Sequence, residues 1–197
     1  MNKTLVKDIL IAILVLGIIA LAAGGLLGLV NSFTKISAEE EMARLTDKIK
    51  QTKVYEGEEA LQKVDLTGFD QGFENGSIIN VFKAGDAYVI HCTGDGGYSS
   101  GFEILVNITD YKIVKIAAYT HGETPGVGTR AFKEDMLSQF YQKDLNAMDK
   151  ITGVKGSAKE DDQVAMVTGA SKSSTALINA VNVAVGWYLN NAKGGEQ

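Results

Sequence analysis

Two histidines, one cysteine, one proline and one tryptophan are all that the 197 residues hold of those types. With Cys92 alone, the chain can form no internal disulfide, no thiolate zinc cluster and no iron–sulfur site of its own. His91 and His121 are too few for a multi-histidine metal or haem centre. Positive charge is also short: 19 Lys and Arg against 24 Asp and Glu leave a net charge of −5. That balance argues against a nucleic-acid partner held through phosphates. Hydrophobic residues make up 45% and charged residues 22%, ordinary globular usage that excludes wholesale disorder. No internal repeat or low-complexity tract is present. Glycine is plentiful, at 22 residues, and the single proline, Pro125, falls in a glycine-rich stretch.

Charge is missing altogether from Ile9 to Val30. As a helix that run measures roughly 33 Å, enough to cross a bilayer. It continues past the small residues Leu21-Ala22-Ala23-Gly24 through Leu26, Leu27, Leu29 and Val30, too long for the core of a cleaved signal peptide. No cysteine follows the small residues, so a lipoprotein anchor is excluded as well. Lys3 and Lys7 on one side face Lys35, Arg44, Lys48 and Lys50 on the other, so a strict count of basic residues does not set the orientation. Nearest the membrane the short N-terminus is the more basic side, while Glu39, Glu40 and Glu41 dilute the far side. The expectation is a single-pass anchor with the N-terminus in the cytoplasm and the main domain outside.

Beyond residue 30 the chain is acidic and long enough for one domain with its own core. Ser37-Ala38-Glu39-Glu40 reads as a capping box opening a polar helix to about Lys50. Ile78 to Phe82 and Ala87 to Ile90 flank Ala84-Gly85-Asp86 as a hairpin, and Gly101 to Ile108 and Lys112 to Thr120 form a second around Thr109-Asp110-Tyr111. A helix is expected over Phe132 to Tyr141 and a strand over Val164 to Val167. A last helix has Leu177, Ala180, Val181, Ala184, Val185 and Tyr188 on one stripe. This pattern predicts an α+β fold, an antiparallel sheet with packed helices behind one transmembrane helix. The expected layout is a short tail over 1–8, an anchor over 9–30, a helical stalk over 31–75 and the α+β domain over 76–197.

Two segments stand out from this scaffold. His121-Gly122-Glu123-Thr124-Pro125-Gly126-Val127-Gly128-Thr129-Arg130 packs three glycines and the proline into one loop, where glycines let backbone N–H groups approach a ligand. Gly126-x-Gly128-x-x-Ala131 fits a loose dinucleotide fingerprint, but no convincing parallel strand follows it; an ordinary turn remains the alternative. Thr168-Gly169-Ala170-Ser171-Lys172-Ser173-Ser174 opens the last helix. Orphan N–H groups and the helix dipole favour an anion there. A simple N-cap needs one hydroxyl, whereas Thr168, Ser171, Ser173, Ser174 and Thr175 supply five. His91 and Cys92, on an expected strand, read as structural.

Together with Gly97-Tyr98-x-x-Gly101, the two segments resemble the FMN-binding domain family, in the branch of membrane-anchored subunits of ion-translocating electron-transport complexes. The ferredoxin:NAD oxidoreductase (Rnf) type is the nearer likeness, and the sodium-pumping NADH:quinone reductase the related alternative. The resemblance implies FMN joined through its phosphate to Ser171, where the family more often has threonine; Ala165 stands where an acidic residue is common. It further implies that Thr168, Gly169, Ala170 and Ser173 shape the phosphate turn, with Lys172 screening the phosphate. Tyr98, Glu123, Thr124 and Val127 would contact the flavin ring, with Lys155 a basic residue near it. It implies a bacterial inner-membrane electron carrier that acts within a complex, partnered by its other subunits and by a flavin-attaching transferase. An anchored module binding a phosphorylated ligand reversibly, or a stand-alone flavin enzyme, are the other readings of the same residues.

Overall fold

The computed structural model describes residues 3–34, 37–98 and 102–192. The chain divides into two units, Met1–Arg44 and Leu45–Gln197. In the first, α1 (Lys3–Thr34) is a single helix of 32 residues without an acidic group in its first turn. Its stretch Ile11–Ser32 has a mean hydropathy of 2.7 and buries none of its side chains, so it is long and apolar enough to cross a membrane. Lys35, one of the residues weighed for orientation, lies outside the described residues, as does Gly101 of the tyrosine-containing motif.

Helix α2 (Ala38–Thr52) starts on the expected capping box. The Glu40 N–H donates to Ser37 Oγ at 3.2 Å, and the Ser37 N–H donates to Glu40 Oε2 at 3.4 Å. Leu45 and Ile49, one helical turn apart, are buried, and so is Val54 just beyond the helix. The second unit accordingly begins within α2.

The second unit is built on an antiparallel sheet in the order β1 (Gln62–Lys63), β3 (Gly76–Ala84), β4 (Ala87–Thr93), β5 (Glu103–Thr109), β6 (Lys112–Thr120), with β2 (Gly72–Phe73) also pairing with β3. Both expected hairpins are present. The β3–β4 turn uses Gly85 at φ +54°, while the β5–β6 turn holds Asp110 and Tyr111 at φ +49° and +58° without any glycine. Side chains alternate across the sheet. Ile78, Val81, Ile90, Cys92, Ile104, Val106, Ile108 and Ile116 join the main core with α4 (Ser171–Asn191). Phe82, Val89 and Leu105 are equally buried but stand outside that core, on the opposite face. Leu45, Ile49 and Val54 are the buried side chains that match them, and Asn107 Nδ2 donates to the Val54 carbonyl at 2.9 Å. The sheet is therefore covered on both faces.

The stripe expected along α4 is buried throughout, and Ala176, Ile178, Val183 and Trp187 are buried beside it. Its burial is wider than one stripe because β7 (Thr152–Val154), paired in parallel with β8 (Gln163–Ala165), lies against a second side. Asn182 locks this side: the Ile151 N–H donates to its Oδ1 at 2.8 Å, and its Nδ2 donates to the Ile151 carbonyl at 2.9 Å. The helix expected over 132–141 is broken. A 3-10 turn over Gly128–Phe132 is followed by α3 (Glu134–Leu137) and a second 3-10 turn over Ser138–Phe140. Lys133 is extended (φ −76°, ψ 153°), so no hydrogen-bond ladder runs through it. Anchoring by buried Ala131, Met136, Leu137 and Phe140, with Phe132 stacked on Phe102 at 5.1 Å, overrides the local helical preference. The strand expected over 164–167 is Gln163–Ala165.

Candidate functional site

Three loops meet at one end of the sheet: the segment after β4, the glycine-rich loop after β6, and the turn into α4. Glu123 joins them. It is 4% exposed, and both oxygens of its carboxyl group are taken. Oε1 accepts the Tyr98 N–H at 3.0 Å, and Oε2 accepts the Ser173 hydroxyl. Gly128 makes that convergence possible, since a Cβ there would stand 2.6 Å from Glu123 Oε2 and 2.8 Å from Ser173 Oγ. The glycine-rich loop is folded by its own backbone: the Val127 and Thr129 N–H groups both donate to the Thr124 carbonyl, at 3.2 and 3.3 Å. The Gly126 N–H donates to Thr129 Oγ1 at 2.9 Å, and Gly126 takes φ +74°. The mostly antiparallel architecture, in which this loop leads into a 3-10 turn, is not a dinucleotide-binding crossover.

At the start of α4 the five hydroxyls separate by environment. Ser173 and Ser174 are fully buried; Ser173 donates to Glu123, while Ser174 Oγ accepts the Val167 N–H at 3.1 Å. Thr175 Oγ1 donates to the Ser171 carbonyl at 2.9 Å. Ser171 and Thr168 are exposed, and neither hydroxyl is engaged among the described residues. The N-cap position is Ala170, which is buried and has no polar side chain to satisfy the first-turn N–H groups. Gly169 takes φ +81°, which turns the chain into the helix.

Around this helix start, Lys172 places its Nζ 4.8 Å from the centre of the Tyr98 ring, and Tyr98 is 67% exposed. Val127 and Thr124 are also exposed. Tyr98, Glu123, Ser173 and Lys172 are thus linked through direct contacts. Lys155 is exposed one residue beyond β7 and makes no hydrogen bond or ion pair to the others among the described residues. One residue not singled out in sequence enters here: Arg130 Nη1 donates to the Thr168 carbonyl at 3.0 Å. Its basic side chain at the end of the glycine loop was the available signal.

His91 and Cys92 sit deeper. His91 Nε2 and Glu103 Oε2 are 2.8 Å apart, and the His91 ring lies 4.3 Å from that of Tyr119. Cys92 Sγ donates to the Ala180 carbonyl at 3.2 Å, and complete burial pushes its thiol well above the usual range. Both fill structural places.

The arrangement presents an exposed hydroxyl at an uncapped helix N-terminus, flanked by an exposed tyrosine and two basic side chains. A phosphate group fits this chemistry. Comparison with known proteins points the same way. Residues 97–186 match the FMN-binding domain. The chain is 26% identical over 212 residues to a subunit of the ion-translocating oxidoreductase complex of Shewanella piezotolerans, covering 98% of this chain and 93% of that protein. It is 38% identical over 100 residues to a subunit of the proton-translocating ferredoxin:NAD(+) oxidoreductase complex of Clostridium ljungdahlii, covering 50% of this chain and 51% of that one. It is 28% identical over 124 residues to a subunit of the Na(+)-translocating ferredoxin:NAD(+) oxidoreductase complex of Acetobacterium woodii, covering 62% of this chain and 55% of that one. The alignments thus span about half the length of the latter two relatives, and all three relatives bear the same subunit letter within their complexes. Over residues 97–186, then, this chain is similar to the FMN-binding domain family.

Proposed function

We propose that the chain is the membrane-anchored, FMN-carrying electron-transfer subunit of an ion-translocating ferredoxin:NAD oxidoreductase complex of the Rnf type, with the flavin held covalently on Ser171. Its enzymatic activity belongs to the whole complex. The partners are the other subunits and a transferase that attaches the flavin. The subunit similarity extends over nearly the entire chain in the Shewanella relative, and α1 supplies a span suited to anchoring. In this reading residues 9–30 hold the chain in the inner membrane of a bacterial cell, N-terminus inside. Residues 31–75 lead into the domain, and residues 76–197 carry the flavin outside.

One observation supports Ser171 above its neighbours: it is the exposed hydroxyl in the first turn of α4, while Ser173 and Ser174 are buried and engaged. A modifying enzyme needs an accessible, free hydroxyl: Thr175 is exposed too, but its hydroxyl is held on the Ser171 carbonyl, whereas that of Ser171 is unengaged among the described residues. FMN, when bound, supplies the redox chemistry. The chain's own residues hold and orient. First-turn N–H groups left open by Ala170 face the phosphate position, and Thr175 fixes the Ser171 carbonyl. Tyr98, Thr124 and Val127 offer exposed surface for the ring, while buried Glu123 and Ser173 hold the loops that present it.

In-gel fluorescence of the denatured chain, made with the transferase present, is expected to show flavin that stays with the band. Ser171→Ala should remove it and Ser171→Thr should keep it. Flavin that washes out of the wild-type band, or a modified peptide carrying flavin on Ser173 in Ser171→Ala, overturns the assignment. Purification of the native complex and identification of its subunits tests the partners.

A further inference from the structure

The fold sets the Arg130 guanidinium between the two motif loops. Arg130 lies in the 3-10 turn Gly128–Phe132, and its Nη1 reaches the Thr168 carbonyl 38 residues along the chain. A Cβ on Gly169 would have that same Nη1 as its near neighbour, at 3.8 Å. The guanidinium therefore runs beside the turn that immediately precedes Ser171. Thr168 is exposed, so its carbonyl could be satisfied by water. The contact ties two loops together rather than rescuing a buried group.

The rest of the fork is open. Nε and the second terminal nitrogen make no hydrogen bond or ion pair among the described residues. The other cation at the helix start, Lys172, has its ammonium over the Tyr98 ring. A phosphodiester carries one negative charge shared by two non-bridging oxygens, a shape that a planar guanidinium matches better than a point charge does.

We propose that Arg130 is a positioning residue for flavin attachment: it pins the Thr168–Gly169 turn so that Ser171 faces outward, and its free N–H groups then hold the diester phosphate. The inference rests on the reading of Ser171 as the attachment point. Attachment forms the bond between Ser171 Oγ and the flavin-side phosphorus of FAD and breaks the pyrophosphate link to the adenylate. AMP leaves, the hydroxyl proton passes to solvent, and no electrons are exchanged.

The test uses the full chain in detergent with FAD and a flavin transferase, following flavin retained after denaturation. Arg130→Gln should slow loading about tenfold, the worth of a charge-assisted hydrogen bond. Arg130→Lys should recover part of the rate. The phosphorus NMR resonance of the loaded chain should shift in Arg130→Gln, a readout that a merely structural contact would not move. Melting temperatures of the unloaded variants report folding separately; should Arg130→Gln fail to fold, the shift in Arg130→Lys decides, because that variant keeps the charge and loses the fork. Equal loading rates with coincident phosphorus resonances overturn the role of Arg130 and leave Ser171 standing. Wild-type chain that takes no flavin, or takes it elsewhere, overturns both.

Discussion

Ser171 and Ser173 have the same chemistry and lie two positions apart, yet a helix turns about 200° over that distance. One faces solvent and the other meets the buried carboxyl group of Glu123. Ser173→Ala should therefore leave flavin loading possible but cost about 1–3 kcal/mol of stability, because Glu123 Oε2 loses its partner inside the protein. Glu123→Gln should cost less than Glu123→Ala, since an amide still bonds to both the Tyr98 N–H and the Ser173 hydroxyl. Thermal unfolding of the three variants ranks them directly. Gly128→Ala should lower stability by about 1–3 kcal/mol, because its methyl group would wedge Glu123 and Ser173 apart. The hydroxyl-rich helix start and the glycine loop were legible in the sequence as local clusters. Their connection was not: Glu123 and Ser173 are 50 residues apart, Arg130 and Thr168 38, and no local pattern encodes such pairs.

At the scale of elements, hairpins and the last helix follow from alternation and from the helical stripe, and both appear where expected. The segment 128–140 does not, because an extended Lys133 and buried anchors on either side outweigh its helical preference. The burial of α2 was also hidden. Its sequence is mostly polar, and two apolar residues one turn apart look minor, yet Leu45 and Ile49 are as buried as the sheet residues of the main core. Just past the end of β4, Gly94 lies tight against the last helix, where a Cβ would run into the Ala176 carbonyl oxygen and the Ala180 backbone. Backbone cannot step aside as a side chain can. Gly94→Ala should thus destabilise by about 1–3 kcal/mol or more, with a lowered urea midpoint as the readout. The neighbouring Cys92 should resist thiol reagents in the folded protein and react once the chain is unfolded, as alkylation followed by mass spectrometry would register.

Considered whole, the second unit depends on chain that precedes the sheet. Burying Leu45, Ile49 and Val54 is worth about 1.5–3 kcal/mol each, and their sum is comparable to the 5–15 kcal/mol by which a typical domain is stable. A chain beginning at Ser37 should unfold in one cooperative transition, whereas one beginning at Gly76 should show none; circular dichroism on heating separates them. Buried Cys92 also makes the topology easy to read, because it leaves no competing thiol. With Glu39→Cys, a membrane-impermeant reagent should label intact cells if the main domain lies outside. Labelling only after lysis would reverse the orientation.

Ala170 carries a consequence for the life of the molecule. A helix that starts on alanine instead of Ser, Thr, Asp or Asn forgoes about 0.5–2 kcal/mol. In the proposed reading the missing cap arrives later, as the phosphate of the prosthetic group. The newly made chain is then an unfinished form, and maturation completes its fold as well as its chemistry. Loaded protein should melt above unloaded protein by a few degrees and resist protease longer, so a cell could discard the subunits that never received their flavin simply because they open more often.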